Sequence, residues 1–270
     1  MSTLVSPLRR SWLFALTGLI LLFLIVPVLI IIPMSFSASR YLDFPPTAFS
    51  LQWYERLFGP GDWFPALMVS LKLATLTALI AAPLGVAVSY AIQRAEWPII
   101  KRLQTVMLLP LMVPHIIVAV GLFYGYVHFK LLGSFWSLLA ANVMLALPFV
   151  VVSTSAGLRT FDETQELVAR ILGCGRLRAF LTVTLPQIKG SVITGMLFAF
   201  VSSLDEVIVA ILVSSGRNVT VTKVMFDSLR DEIDPTITAV SSLMILASFI
   251  GLGVALWLQH VSRSRAGRTT

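Results

Sequence analysis

The sequence predicts an all-α, polytopic membrane protein with six transmembrane helices. Three observations carry that prediction. Of 270 residues, 57% are hydrophobic and only 12% are charged, about half the charge of an ordinary soluble domain. The mean hydropathy is +0.90. The apolar residues gather in six blocks, each long enough to cross the roughly 30 Å hydrocarbon core as a helix. Backbone groups in lipid find partners within such a block when it is helical, and the blocks lack the two-residue alternation of barrel strands.

The first block, Trp12 to Met34, follows Arg9-Arg10 and exceeds the roughly 7–15 apolar residues of a cleavable signal, so it is read as a retained helix. Further blocks run from Ala66 to Ile92, Thr105 to Val127, Leu131 to Thr154, Gly190 to Val213 and Thr236 to Gln259. Six spans put both termini on one side. With the N-terminus inside, the inner segments hold thirteen Lys and Arg and the outer segments six, while Lys72 lies within the second span. Because basic residues are retained on the cytoplasmic side, both termini are expected in the cytoplasm. Residues 1–270 then form a single transmembrane domain, with no room for a sizeable soluble catalytic domain.

The net charge of +7 would point to nucleic acid if the basic residues formed one face of a soluble fold. Here they sit between apolar blocks and set orientation instead. The single cysteine, Cys174, excludes an intramolecular disulfide and any multi-cysteine metal site.

Two connections are too long to be plain turns. The outer segment from Ser35 to Pro65 carries Phe44-Pro45-Pro46 and the aromatics Trp53, Tyr54, Phe58, Trp63 and Phe64, which suit an interfacial cap at headgroup depth. The inner segment from Ser155 to Lys189 combines acids, bases and helix formers. Within it, Phe161 to Leu172 reads as a short amphipathic helix. Asp162 and Glu163 stand near its start, Arg170 near its end, and Leu167, Val168 and Ile171 form an apolar stripe. Gly173 stops it, Gly175 permits a change of direction, and Leu177 to Leu185 resumes a helical or extended path. Pro186 is expected to open the next element. A short exposed helix tethered between two spans suits docking in a groove of a cytoplasmic partner; the competing reading is a helix lying on the headgroups.

At these residues the chain resembles the permease subunits of bacterial binding-protein-dependent ABC importers. Their cytoplasmic loop follows the pattern Glu-Ala-Ala, three residues, Gly, nine residues, Ile, one residue, Leu-Pro. Ala169, Gly173, Val183, Leu185 and Pro186 fall in register, with Val183 in place of the isoleucine. Leu167 stands where the family has glutamate, Glu166 lies one position earlier, and Val168 replaces an alanine. The likeness extends along most of the chain. It is nearest to the polyamine (spermidine/putrescine) type, which is similar in its proline-rich first outer loop, here Phe44-Pro45-Pro46, and its acidic fifth helix, here Ser203-Leu204-Asp205-Glu206.

The resemblance implies the type I importer permease fold in a bacterial inner membrane. Its implied partners are two cytoplasmic ATPase subunits, a second permease subunit and a periplasmic solute-binding protein. The second permease is a copy or, as this branch favours, a related but different chain. The implied coupling residues are Glu163, Glu166, Ala169, Gly173, Leu185 and Pro186. No cofactor is expected in this chain, with ATP and Mg held by the partner ATPase. That agrees with the residues themselves: there is no Gly-x4-Gly-Lys-Ser/Thr segment, and none of the five lysines follows a glycine, so no phosphate cradle is recognisable.

Asp205 and Glu206 are the most costly residues in the predicted spans. They sit past the middle of the fifth block, where an Asp costs roughly 2.5–3.5 kcal/mol on insertion scales, so they should face a cavity or a partner. With Ser202 and Ser203 they are candidates for a negatively lined substrate pathway favouring a cationic or zwitterionic solute. The alternatives are an acid near the outer interface or one paired with the other permease. His115, after Pro114, is a weaker polar candidate at a helix irregularity. Lys72 is read as snorkelling, and Gly121 and Gly125 as a small-residue pair for close packing.

Two other classes compete with a pore subunit. An ion-coupled carrier would use Asp205 and Glu206 as its ion site, but no internal repeat is visible. An intramembrane enzyme would need a catalytic pattern. No Gly-x-Ser-x-Gly or His-Glu-x-x-His is present, and adjacent carboxylates on one helix point about 100° apart. Small amines, amino-acid derivatives and aminophosphonates all remain compatible cargoes.

Overall fold

The computed structural model describes residues 11–95, 98–231 and 233–266. Arg9, Arg10 and Arg268, which enter the charge count, lie outside the described residues. The described chain is helical, its β content a lone bridge between Ser37 and Phe49. It divides into two units, 1–61 with 228–247, and 62–227 with 248–270.

In the first unit, α1 (Ser11–Ser35) is apolar on every side, and every residue from Trp12 to Pro27 is exposed. A helix with no polar stripe has no aqueous face to present, as a lipid-embedded rod requires. After it, Gln52 donates from its side chain to the Ala38 carbonyl at 2.8 Å, folding the loop back onto α2 (Gln52–Phe58). Tyr54 and Ser35 share a hydroxyl hydrogen bond of 2.8 Å. The aromatics expected at headgroup depth divide: Trp53 is buried and Phe58 exposed.

The second unit is built on α3 (Trp63–Arg94), α6 (Phe135–Thr160) and α9 (Leu185–Leu204), which pack pairwise against one another. Val150 of α6 is fully buried at their meeting point. A methyl group on Gly195 of α9 would come within 3.0 Å of the Val150 Cα, and one on Gly85 of α3 within 2.5 Å of its Cγ1. Glycine is what lets the three backbones approach. By contrast, a Cβ on Gly121 or Gly125 would meet nothing within 4 Å, so the close packing expected of that pair is not made among the described residues.

Four described helices are long and apolar enough to cross a membrane: 12–35, 63–94, 135–160 and 176–204. The third predicted span is not one rod. It divides into α4 (Pro98–Met112) and α5 (His115–His128), bent by 103° at the break, and counted together they make a fifth candidate. Pro114 has no N–H to continue the ladder and pushes Val113 out of the helical region. The stretch Thr236–Gly251 is apolar but shorter, within α12 (Thr236–Ala266).

The fifth predicted span is also interrupted. Helix α9 ends at Leu204, and a six-residue α10 (Ile208–Val213) follows. At its other end the helix starts earlier than expected. From α8 (Arg176–Ala179) the chain passes through a π turn at Phe180–Thr184 directly into α9, a single run from Arg176 to Leu204. Pro186 stands in the first turn of α9, as expected of the residue that opens that element, although the helical run reaches back to Arg176. The wider π turn before it accommodates a ring that would otherwise meet the Thr182 carbonyl. With α6 reaching Thr160, the inner connection contracts from the predicted 155–189 to 161–175.

Candidate functional site

The inner connection holds α7 (Glu163–Ile171). Its start is set by Asp162, whose carboxylate accepts from the Thr164 N–H at 3.0 Å, satisfying one donor of the first turn. Its end is set by Gly173 at φ +94°. There the Gly173 N–H donates to the Arg170 carbonyl at 3.1 Å and the Cys174 N–H to the Ala169 carbonyl at 3.0 Å. This is the paired Schellman closure, whose left-handed position suits glycine. The stop expected at Gly173 is formed, whereas the helix begins at Glu163 and not at the expected Phe161, which caps the end of α6.

Glu166 is only 1% exposed. Its Oε1 accepts from the Tyr90 hydroxyl at 2.5 Å, and its Oε2 from Arg94 Nη2 at 2.8 Å and the Thr184 hydroxyl at 2.5 Å. The other Arg94 nitrogen, Nη1, donates to Glu163 at 2.5 Å. Burial works against the Glu166 charge, but the hydrogen bonds from Thr184, Tyr90 and Arg94, together with the Arg94 charge, hold its carboxyl below the ordinary glutamate value. The Tyr90 ring meets Phe180 edge-on at 4.6 Å, and Leu185 packs with Tyr90 against Leu158, Phe161 and Ile188. A shallow pocket of about 220 Å³ opens beside this cluster, lined by Arg94, Glu163, Thr164, Glu166, Leu167 and Arg170.

Of the predicted coupling residues, the cluster unites Glu163 and Glu166, with Leu185 packed beside it. Ala169 is half-buried, and Gly173 and Pro186 are exposed. The apolar stripe faces outward: Leu167 is 53%, Ile171 75% and Leu172 82% exposed. Tyr90, Arg94 and Thr184 escaped the sequence reading. Arg94 is a basic residue at the end of a span, yet its acidic partner lies 72 positions away.

The second polar cluster forms where helices break. Asp205 and Glu206 do not sit within one continuous helix; they occupy the gap between α9 and α10. The Glu206 carboxylate accepts from the Val209 N–H at 3.0 Å, capping α10 in place of a continued ladder. The Glu206 carbonyl accepts from the Thr222 hydroxyl at 3.0 Å. His115 Nδ1, at the start of α5, lies 3.6 Å from Glu206 Oε2, and α5 packs against α10. Two breaks are thus neighbours. Glu206 is 8% exposed, whereas Asp205 is exposed and pairs with no cation among the described residues. Ser203 is buried and donates to Asn142 Oδ1 at 2.9 Å, with Thr77 Oγ1 at 3.3 Å. Ser202 is half-buried.

Comparison with known proteins adds findings of three kinds: a family, relatives in sequence and solved structures. Residues 81–266 match the family described as the inner membrane component of binding-protein-dependent transport systems. The chain is 28% identical over 241 residues to the spermidine/putrescine transport system permease protein PotC of Haemophilus influenzae, covering 89% of this chain and 92% of that one. It is 28% identical over 276 residues to the putrescine transport system permease protein PotI of Escherichia coli, covering 96% and 98%. Among solved structures it superposes on a bacterial ABC transporter that imports the acidic polysaccharide alginate, with a TM-score of 0.70, 16% identity and coverage of 95% and 96%. An amino acid ABC transporter superposes with a TM-score of 0.57 and 18% identity, covering 77% and 94%.

Proposed function

Because this chain belongs to the family of inner membrane components of binding-protein-dependent transport systems, we propose that, as the permease subunit of an ATP-driven importer, it carries a small cationic or zwitterionic amine, polyamine-like in character, across the inner membrane. It is a multi-pass permease, and ATP hydrolysis resides in a partner subunit. In this reading it crosses the bilayer six times with both termini in the cytoplasm, pairs with a second, related permease chain, and receives solute from a periplasmic binding protein. The excess of Lys and Arg on the predicted inner segments supports that orientation.

The observation that carries the coupling assignment is α7. It is a capped helix of nine residues with a polar face tied inward and an apolar face turned out, as a helix seated in a partner's groove requires. The outward face of the region 162–186, with Leu167, Ile171 and Leu172 exposed, is the proposed contact with the ATPase. For the cargo, support comes from Asp205 and Glu206 at a helix break and from relatives named for spermidine and putrescine. Discontinuous helices are where membrane transporters place their solute and ion sites.

The test is ATP-driven uptake by the full complex in proteoliposomes. Gly173→Val, which forces a branched side chain into a left-handed position, is expected to uncouple uptake or abolish copurification of the ATPase. Normal uptake with normal ATPase recovery in that variant overturns the coupling assignment. Uptake by this chain alone, driven by an ion gradient, would instead support the carrier reading.

A further inference from the structure

We propose that Tyr90, Arg94, Glu166 and Thr184 form an internal strut that transmits displacement of α7 into α3 and α9, separate from the surface on which the ATPase sits; this rests on the coupling reading above. These are positioning residues, acting on the transport path through the helices they join.

The geometry is a two-point grip. Glu163 and Glu166 are three residues apart and share one face of α7, while Tyr90 and Arg94 are four apart and share one face of α3. The Arg94 fork holds both acids and the Tyr90 hydroxyl holds the inner one. A single contact lets two helices pivot; paired contacts on both sides resist rotation as well as separation. Thr184 adds the third element, since it ends the π turn leading directly into α9. Gln187 Nε2 donates to Gln165 Oε1 at 2.6 Å beside it. Any shift of α7 therefore pulls on α3 and α9 together, and these pack on α6 as the core of this unit.

The departure from the family pattern now has a physical reading. A one-residue shift turns a side chain about 100° around a helix. The acid at 166 points inward and is enclosed, while Leu167, at the family's glutamate position, is exposed. The outward face around it is apolar, with Val168, Ile171 and Leu172. The two acids of α7 are engaged in the internal joint, and Leu167, Val168, Ile171 and Leu172 face outward.

The experiment measures uptake per ATP hydrolysed, alongside ATPase copurification, in the reconstituted complex. With Glu166→Gln or Arg94→Gln, uptake per ATP is expected to fall about tenfold, within the usual span of intersite coupling, while ATPase copurification stays at the wild-type level. The double variant is expected to be no worse than either single one, as for residues acting as a unit. Arg94→Lys should recover part of the loss. Thr184→Val, which removes one hydroxyl and spares the fold if the charge variants misfold, should lower the ratio about threefold. An unchanged ratio in Glu166→Gln and Thr184→Val overturns the strut, as does a loss of uptake that tracks loss of the ATPase. Absence of ATP-driven uptake in the wild-type complex would instead sink the importer reading itself.

Discussion

Glu166 and Glu206 are both carboxylates withdrawn from water at helix boundaries, and they are compensated in opposite ways. Glu166 receives three side-chain donors, one of them a guanidinium. Glu206 receives one backbone N–H at 3.0 Å and stands 3.6 Å from a histidine that is 45% exposed. Charge-assisted hydrogen bonds are roughly twice as strong as neutral ones. The first acid fixes a joint between three elements. The second keeps a helix interrupted and leaves a neighbouring carboxylate, Asp205, in the open.

The comparison is broken most directly at Glu166. Glu166→Ala should cost about 3 kcal/mol, the lower end of the range for removing one partner of a buried pair because Arg94 remains partly solvated. The loss is read as thermal stability of the purified complex. The ionised form of Glu166 is the stabilising one, and its folded pKa is lowered. Its contribution is therefore complete above the ordinary glutamate value and lost as pH falls from there through the lower folded value. Stability should be flat across roughly pH 6–8 with respect to this group and fall on the acid side. Glu166→Gln should flatten that acid limb. A limb that survives the substitution unchanged would move the titration elsewhere.

At the helix break the expected effects are smaller. Glu206→Ala removes the cap of α10 and should cost about 1 kcal/mol, whereas Glu206→Gln keeps an acceptor and should recover most of it. Equal losses in the two variants would mean that charge, not capping, is what the position needs. His115→Ala should change stability by less than about 0.5 kcal/mol, since a long contact on a half-exposed side chain contributes little. A loss as large as that of Glu206→Ala would make the pair a second joint and erase the distinction.

What could be read from the sequence was local. The end of α7 follows from Gly173 because a left-handed glycine acts within a few residues. The break at Val113–Pro114 is visible in the proline, although its 103° bend is not. The break after Leu204 has no proline or glycine to announce it. It depends on a side chain competing for a backbone N–H and on a hydroxyl from Thr222, sixteen residues away, so hydropathy runs straight across it. The Glu166 cluster was hidden for the same reason: Tyr90 and Arg94 reach it only after α3 and α7 are brought together. Pro186 does mark the start of α9, but nothing local announces the π turn that carries the helical run back to Arg176.

The π turn at Phe180–Thr184 has one more consequence. A turn closed by bonds five residues apart holds a surplus residue relative to regular winding, so the helical register of the sequence on one side is offset by one position from that on the other. Deleting one residue there would remove the surplus and let the rod wind evenly with both stretches still facing as they do, whereas deleting one residue in the regular coil would swing everything upstream by about 100° relative to the membrane-facing stretch. A one-residue deletion within this five-residue window should thus be tolerated better than the same deletion in the regular coil on either side.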